Sequence, residues 1–228
     1  PGLTPPERAA HYDEMNRVIA ALHQVDFQAL GLADFGKPGN YFERQIGRWS
    51  KQYLASVTQP NPAMDALLEW LPAHIPASAR DSAEVSIVHG DYRMDNLVFD
   101  ATAPRVVAVL DWELSTLGHP LADFSYHCMS WHVKASGIAR GLAGQDLALL
   151  GIPSERAYVE RYCERTGRAD VGAVLQARAA QGAAHGLIAL LRLLLSAPEA
   201  QGQGVDQRAL PGRDVGGCRL RLGQVAPN

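Results

Sequence analysis

The chain has 228 residues, 47% of them apolar, and a formal net charge of −3 with a pI near 6.3. That length allows one large domain or a domain with a tail, and the mild acidity excludes the basic footprint of a nucleic-acid binder. Cys128, Cys163 and Cys218 are scattered and odd in number, which argues against a disulfide framework and for a reducing compartment. The Pro-rich polar N-terminus shows no secretory pattern, and the most apolar run, 183–195, is too short for a membrane span and contains Arg192. The expectation is a soluble cytoplasmic protein with neither a nucleic-acid nor a membrane partner.

Thr4-Pro5-Pro6-Glu7 is a helix start, with Thr4 as N-cap, proline in the first turn and Glu7 completing a capping box. Tyr12, Met15, Ile19 and Leu22 then recur at helical spacing up to His23, a helix-end histidine read as structural. A Gly/Pro loop over 31–40 contains Asp34-Phe35-Gly36, the protein-kinase metal triplet. That reading is rejected, because the triplet belongs after a catalytic loop and this one has no strand before it. Phe42, Ile46, Trp49 and Tyr53 mark an amphipathic helix whose aromatic stripe reads as core. Asn61-Pro62 starts another, with Leu67, Leu68 and Leu71 inward and Pro72 as its stop.

Val85–Val88 is a short apolar run. Leu97–Phe99 and Val106–Leu110 are two more, and Asp100–Arg105 between them carries turn chemistry, which predicts a β-hairpin. If the hairpin is symmetric about its turn, Leu97 faces Leu110 and Asn96 faces Asp111. The polar loop His89–Asn96 and the Asp111 carboxylate then meet at the hairpin's open end. After them, Pro120 opens a helix to about Trp131, Ser154 caps another that ends at Gly167, and 169–195 is Ala/Leu-rich and helical in pattern. From Ser196 the chain turns Gly-rich and loses periodicity, so 196–228 is set apart from 1–195, with parts of it expected to be disordered.

The chemistry concentrates in the hairpin. Asp91 and Asn96 have the spacing of H-x-D-x-x-x-x-N, and Asp111 follows a strand. Phosphoryl transfer needs a carboxylate to accept the proton of an attacking hydroxyl and hard oxygen ligands for magnesium. Asp91 suits the first need, Asn96 and Asp111 the second. A metallohydrolase with His89, Asp91, Asp111 and His119 as ligands would explain the clustered His and Asp, but neither Asn96 nor the hairpin.

His89-Gly90-Asp91, then Asn96, then Asp111-Trp112-Glu113 resembles the aminoglycoside phosphotransferase/choline kinase family. Within it, His89-Gly-Asp-Tyr-Arg-Met-Asp-Asn96 is most similar to the kinase-like domain of acyl-CoA dehydrogenase family members ten and eleven. The resemblance runs from about Pro5 to Tyr162. It implies an α+β fold: a mostly helical, protein-kinase-like C-terminal lobe with a small β-hairpin carrying the site. It further implies an ATP- and Mg2+-dependent transfer of the γ-phosphoryl group to a hydroxyl of a small metabolite, in one branch a hydroxyacyl-CoA. Asp91 would be the base, His89 a brace for the loop, and Asn96 and Asp111 the ligands of magnesium and through it the nucleotide. Arg93 fits either the transferring phosphoryl group or a surface ion pair. Glu113 fits a water-mediated metal contact or a helix cap, and Asp123 an orienter of the catalytic loop or a first-turn helix charge. Tyr41, Trp49, Trp131 and His132 are candidates for the acceptor pocket.

The family's N-terminal lobe has a phosphate-covering loop and a strand lysine. No G-x-G-x-x-G occurs here, and none of Lys37, Lys51 and Lys134 follows a V-A-I-type strand. The expectation is therefore a poorly active chain by itself, with an apolar face open to self-association. The alternative is a catalytically silent kinase-like binding or scaffolding module.

Overall fold

Helix α1 (Pro5–His23) starts as its cap chemistry requires: the Glu7 carboxylate accepts from the Thr4 backbone N–H at 2.6 Å and from its hydroxyl at 2.7 Å. The computed structural model describes residues 2–57, 59–75, 84–135 and 141–169. The helix expected over 169–195 and the Gly-rich segment 196–228 lie outside the described residues, apart from Ala169 itself. Helices α2 (Tyr41–Ser56), α3 (Pro62–Ala73), α4 (Pro120–Cys128), α5 (Leu147–Leu150) and α6 (Glu155–Thr166) complete the helical part. No described helix is long and apolar enough to cross a membrane.

The apolar stripe of α1 (Tyr12, Met15, Val18, Ile19) packs with Phe124 and Cys128 of α4 and with Tyr158, Val159 and Tyr162 of α6 in one cluster. Burying side chains of this size stabilises by about 1.5–3 kcal/mol each. The α1–α6 seam is also polar: Asn16 donates to the Tyr158 carbonyl at 2.8 Å, and Arg165 reaches Asp13 at 2.8 Å. Helices α2 and α3 form a second cluster from Ile46, Trp49, Tyr53, Met64 and Leu71, which includes three of the four residues of the expected stripe, while the fourth, Phe42, is buried against Ala122 of α4. Pro72 sits inside α3 with one residue after it, so the helix ends about where a proline should end it.

Two nested antiparallel ladders hold the middle of the chain. β1 (Ser86–Val88) pairs with β4 (Thr116–Gly118), and between them β2 (Leu97–Phe99) pairs with β3 (Val106–Val109). The hairpin was expected, but β4 was not, because Thr116–Gly118 is too short to show a period. The register also differs from the symmetric one. Leu97 pairs with Val109, not Leu110, because the turn closes on Phe99–Val106 and a bulge at Val107 then shifts the ladder. Asn96 accordingly faces Leu110, whose N–H donates to the Asn96 carbonyl at 2.8 Å, and Asp111 lies one residue beyond.

Candidate active site

The loop from His89 to Asn96 connects the two ladders, leaving β1 and entering β2. Gly90 has φ +80, and a Cβ there would lie 2.8 Å from the Leu114 carbonyl oxygen, so the loop's sharp exit from β1 requires glycine. His89 is fully buried. Its Nδ1 accepts from the Asp91 N–H at 3.2 Å and its Nε2 bonds the Leu110 carbonyl at 2.8 Å, which selects the Nε2–H tautomer. His89 thus ties the loop to the end of β3. With both ring nitrogens so engaged, it braces rather than reacts.

Asp91 departs from the exposed loop carboxylate that its place in the sequence suggests. It is only 7% exposed. Its Oδ1 accepts from the Tyr126 hydroxyl at 2.6 Å. Its Oδ2 accepts from the Asn96 amide at 3.2 Å, and the same amide donates to the Asp91 carbonyl at 2.9 Å. The Arg93 Nε lies 3.7 Å from Oδ2 with its side chain half exposed, an ion pair of the weak surface kind. A buried carboxylate costs several kcal/mol unless donors surround it. Here two neutral donors and a guanidinium supply that surround.

Because the Asn96 amide nitrogen faces Asp91, its carbonyl oxygen is the atom left for a cation. Asp111 has φ 64 and ψ 58, a left-handed conformation that side chains other than glycine adopt at a cost of about 1–3 kcal/mol. It is exposed at the mouth of the hairpin, and Trp112–Leu114 begin a short 3-10 turn directly after it. Glu113 lies exposed in that turn. Asn96 and Asp111 together offer oxygens of the hard type magnesium prefers. The rival metal set does not assemble: His119 caps α4 by accepting from the Leu121 N–H, and no group of three or more His, Cys, Asp or Glu among the described residues could hold a metal.

Helix α4 is buried along its whole length and carries what grips the loop. The Asp123 carboxylate accepts from the His89 N–H at 2.7 Å, the Gly90 N–H at 2.9 Å and His23 Nε2 at 3.3 Å. Burial alone would push its pKa up, but the hydrogen bond and charge of His23 and the His89 N–H outweigh it and hold the carboxyl below its ordinary value. His23 in turn bonds the Tyr162 hydroxyl at 2.7 Å. Of the two roles open for Asp123, orienting the loop is the one its geometry serves. His23 and Tyr126 were not among the candidates from sequence. Each acts through a partner 100 or 35 residues away, which no local pattern marks.

His127, behind the loop, bonds the Tyr158 hydroxyl at 2.6 Å and stacks edge-on to Tyr92. Burial lowers its pKa to about 4, only partly opposed by a hydrogen bond with the Tyr92 backbone and the charge of Asp123. The unfolded chain therefore takes up a proton near pH 6.5 that the folded chain refuses until about pH 4. Stability from this group is complete above pH 6.5 and is lost as pH falls toward 4, by about 3 kcal/mol in all. Urea midpoints at pH 7 and pH 4.5 should show the loss, and His127→Gln should flatten the difference. An unchanged slope in that variant refutes the assignment.

The acceptor-pocket candidates do not converge. Trp49 belongs to the α2–α3 cluster and Trp131 to the main core, where its Nε1–H donates to the Pro153 carbonyl. His132 pairs with Glu155 at 2.9 Å, and Tyr41 packs edge-on to Phe42. These are core and surface roles, as an aromatic at helical spacing usually has.

The model of the phosphotransferase enzyme family matches residues 1–158. Mouse acyl-CoA dehydrogenase family member 10 is 47% identical over 168 residues, 73% of this chain and 15% of that protein. Human acyl-CoA dehydrogenase family member 11 is 40% identical over 169 residues, 73% of this chain and 21% of that protein. The chain thus spans about a fifth or less of the length of these curated relatives. Among solved structures, a candidate aminoglycoside phosphotransferase from Ralstonia eutropha JMP134 shares 56% identity with a TM-score of 0.73, covering 88% of this chain and 62% of that one. Choline kinase from Cryptosporidium parvum has a TM-score of 0.58 at 14% identity, over 84% of this chain and 61% of its own, a likeness of fold alone. The resemblance read from His89-Gly-Asp, Asn96 and Asp111-Trp-Glu, and the kinase-like fold it implied, are borne out.

Proposed function

The chain belongs to the phosphotransferase enzyme family and takes a small-molecule kinase fold, and from that premise we propose that it carries the catalytic loop for moving the γ-phosphoryl group of ATP to a hydroxyl of a small metabolite. The observation that supports this most is Asp91 held from both sides, by Tyr126 on Oδ1 and by Asn96 on Oδ2, at the mouth of the hairpin that ends in Asp111. In the reaction the acceptor hydroxyl gives its proton to Asp91 as its oxygen bonds to phosphorus. The bond from the γ-phosphorus to the bridging oxygen breaks, and ADP leaves. Asn96 keeps the base facing the acceptor. Arg93, half exposed beside Oδ2, can leave its weak ion pair for the charge on the transferring group.

Magnesium fits the donor set by chemistry, an amide oxygen from Asn96 and a carboxylate from Asp111, and when bound it would neutralise charge on the nucleotide phosphates. The acceptor is a metabolite hydroxyl. Relatives named for acyl-CoA chemistry put hydroxyacyl-CoA thioesters on the panel beside choline and aminoglycosides. Met94, Val98, Val107, Leu110 and Trp112 stand exposed along the loop and hairpin, an apolar surface suited to a covering lobe or to a second copy.

The test is phosphoryl transfer from labelled ATP across that panel in a protein carrying both kinase lobes. Asp111→Asn should raise the magnesium concentration for half-maximal rate by at least about tenfold, because the site loses its one charged ligand, while the thermal midpoint stays put. Transfer to no acceptor, with Mg-ATP still bound, would favour the silent binding module instead.

A further inference from the structure

We propose that Tyr126 is the positioning residue of the catalytic base, a role that rests on the reading of Asp91 as that base. Tyr126 and Asp123 lie three residues apart on α4, so they share a face of the helix. That face meets the loop twice. Asp123 takes the backbone N–H groups of His89 and Gly90, and Tyr126 takes the side chain of Asp91. One buried helix therefore fixes both where the loop runs and how its carboxylate is turned.

The geometry separates the two carboxylate oxygens. At 2.6 Å the Tyr126 bond to Oδ1 is short, of the charge-assisted kind, while the Asn96 bond to Oδ2 is longer, at 3.2 Å. Tyr126 is 8% exposed and packed in a helix with no exposed residue, so its hydroxyl has little freedom to move away. Oδ1 is thus the anchored oxygen and Oδ2, the one beside Arg93, takes the acceptor's proton. Without the phenol hydroxyl, the longer Asn96 bond and the weak Arg93 pair still hold the carboxylate, both on Oδ2, and it gains freedom to turn about its Cα–Cβ and Cβ–Cγ bonds. A base that samples several orientations spends less time aligned with the acceptor, which slows the chemical step and leaves binding alone.

Tyr126→Phe removes one oxygen from a site that otherwise keeps its shape. Turnover should fall about 10- to 100-fold, the usual cost of removing an outer support of a catalytic group, with KM for ATP and for the acceptor within about twofold. The thermal midpoint should move by no more than a few degrees. In an Asp91→Asn background the same substitution should change the residual rate, followed with labelled ATP, by less than about twofold, since there is no base left to orient. Wild-type turnover in Tyr126→Phe overturns the proposal. So does an equal fold-loss in the two backgrounds, which would mark a merely structural tyrosine. If Asp91→Asn itself keeps wild-type turnover, it is the assignment of the base that fails.

Discussion

Asp91→Asn, made in a protein carrying both kinase lobes, is expected to lower turnover by about 10²- to 10⁴-fold, the range that a positioned general base supplies. Asparagine is the right probe, because Asp91 is buried and bonded. Alanine would take from the Tyr126 hydroxyl the carboxylate it donates to and leave the Asn96 amide only the backbone carbonyl at 91, a loss of about 1–3 kcal/mol that would confuse catalysis with folding. An asparagine oxygen can still accept from Tyr126 while taking no proton at neutral pH. The loss should therefore appear in kcat, with KM for ATP little changed and the urea midpoint within reach of the wild type. A variant within a few-fold of wild-type turnover would remove Asp91 from the mechanism, and the phosphoryl-transfer reading would have to be rebuilt around another base.

Asp123→Ala should be the most damaging substitution for stability. It removes one acceptor from three donors at once, the N–H groups of His89 and Gly90 and the His23 ring, in a site closed to water. Deleting one partner of a buried charged network costs about 3–5 kcal/mol, which is a large part of the 5–15 kcal/mol that holds a typical domain together. Asp123→Asn keeps one acceptor and should fall between wild type and alanine. Urea denaturation at pH 7 measures both. A loss below about 1 kcal/mol for the alanine variant would mean that the loop does not depend on α4.

The sequence was most legible where structure is local. The start of α1, the stripe Phe42–Ile46–Trp49–Tyr53 of α2 and the boundaries of α6 at Ser154 and Gly167 follow from caps and spacing that lie within a few residues of each other. The hairpin was legible from two apolar runs and a turn. Its register was not, because it is set by a turn that closes on Phe99–Val106 and by a bulge at Val107 that shifts the pairs beyond it, and neither marks the pattern of apolar residues. The burial of Asp91 was hidden for a related reason. Loop position suggests exposure, yet α4 folds back over the loop from some 30 residues downstream. His23 looked like an ordinary helix end because its role depends on Asp123 and Tyr162, at separations of 100 and 139 residues.

Helix α1 is sealed by α6, with Asn16 bonded to a carbonyl 142 residues further along the chain. Closing a loop of that size costs about 4 kcal/mol in chain entropy before any contact rewards it. During synthesis the delay is longer still. The stripe Tyr12, Met15, Val18 and Ile19 leaves the ribosome before its cover on α6, which follows at about 5–20 residues per second. For some 7 to 30 s the nascent chain carries this helix without the part of its cover that α6 supplies. That interval is when a holdase would bind it, and when a truncated message would yield an aggregating peptide rather than a smaller folded one.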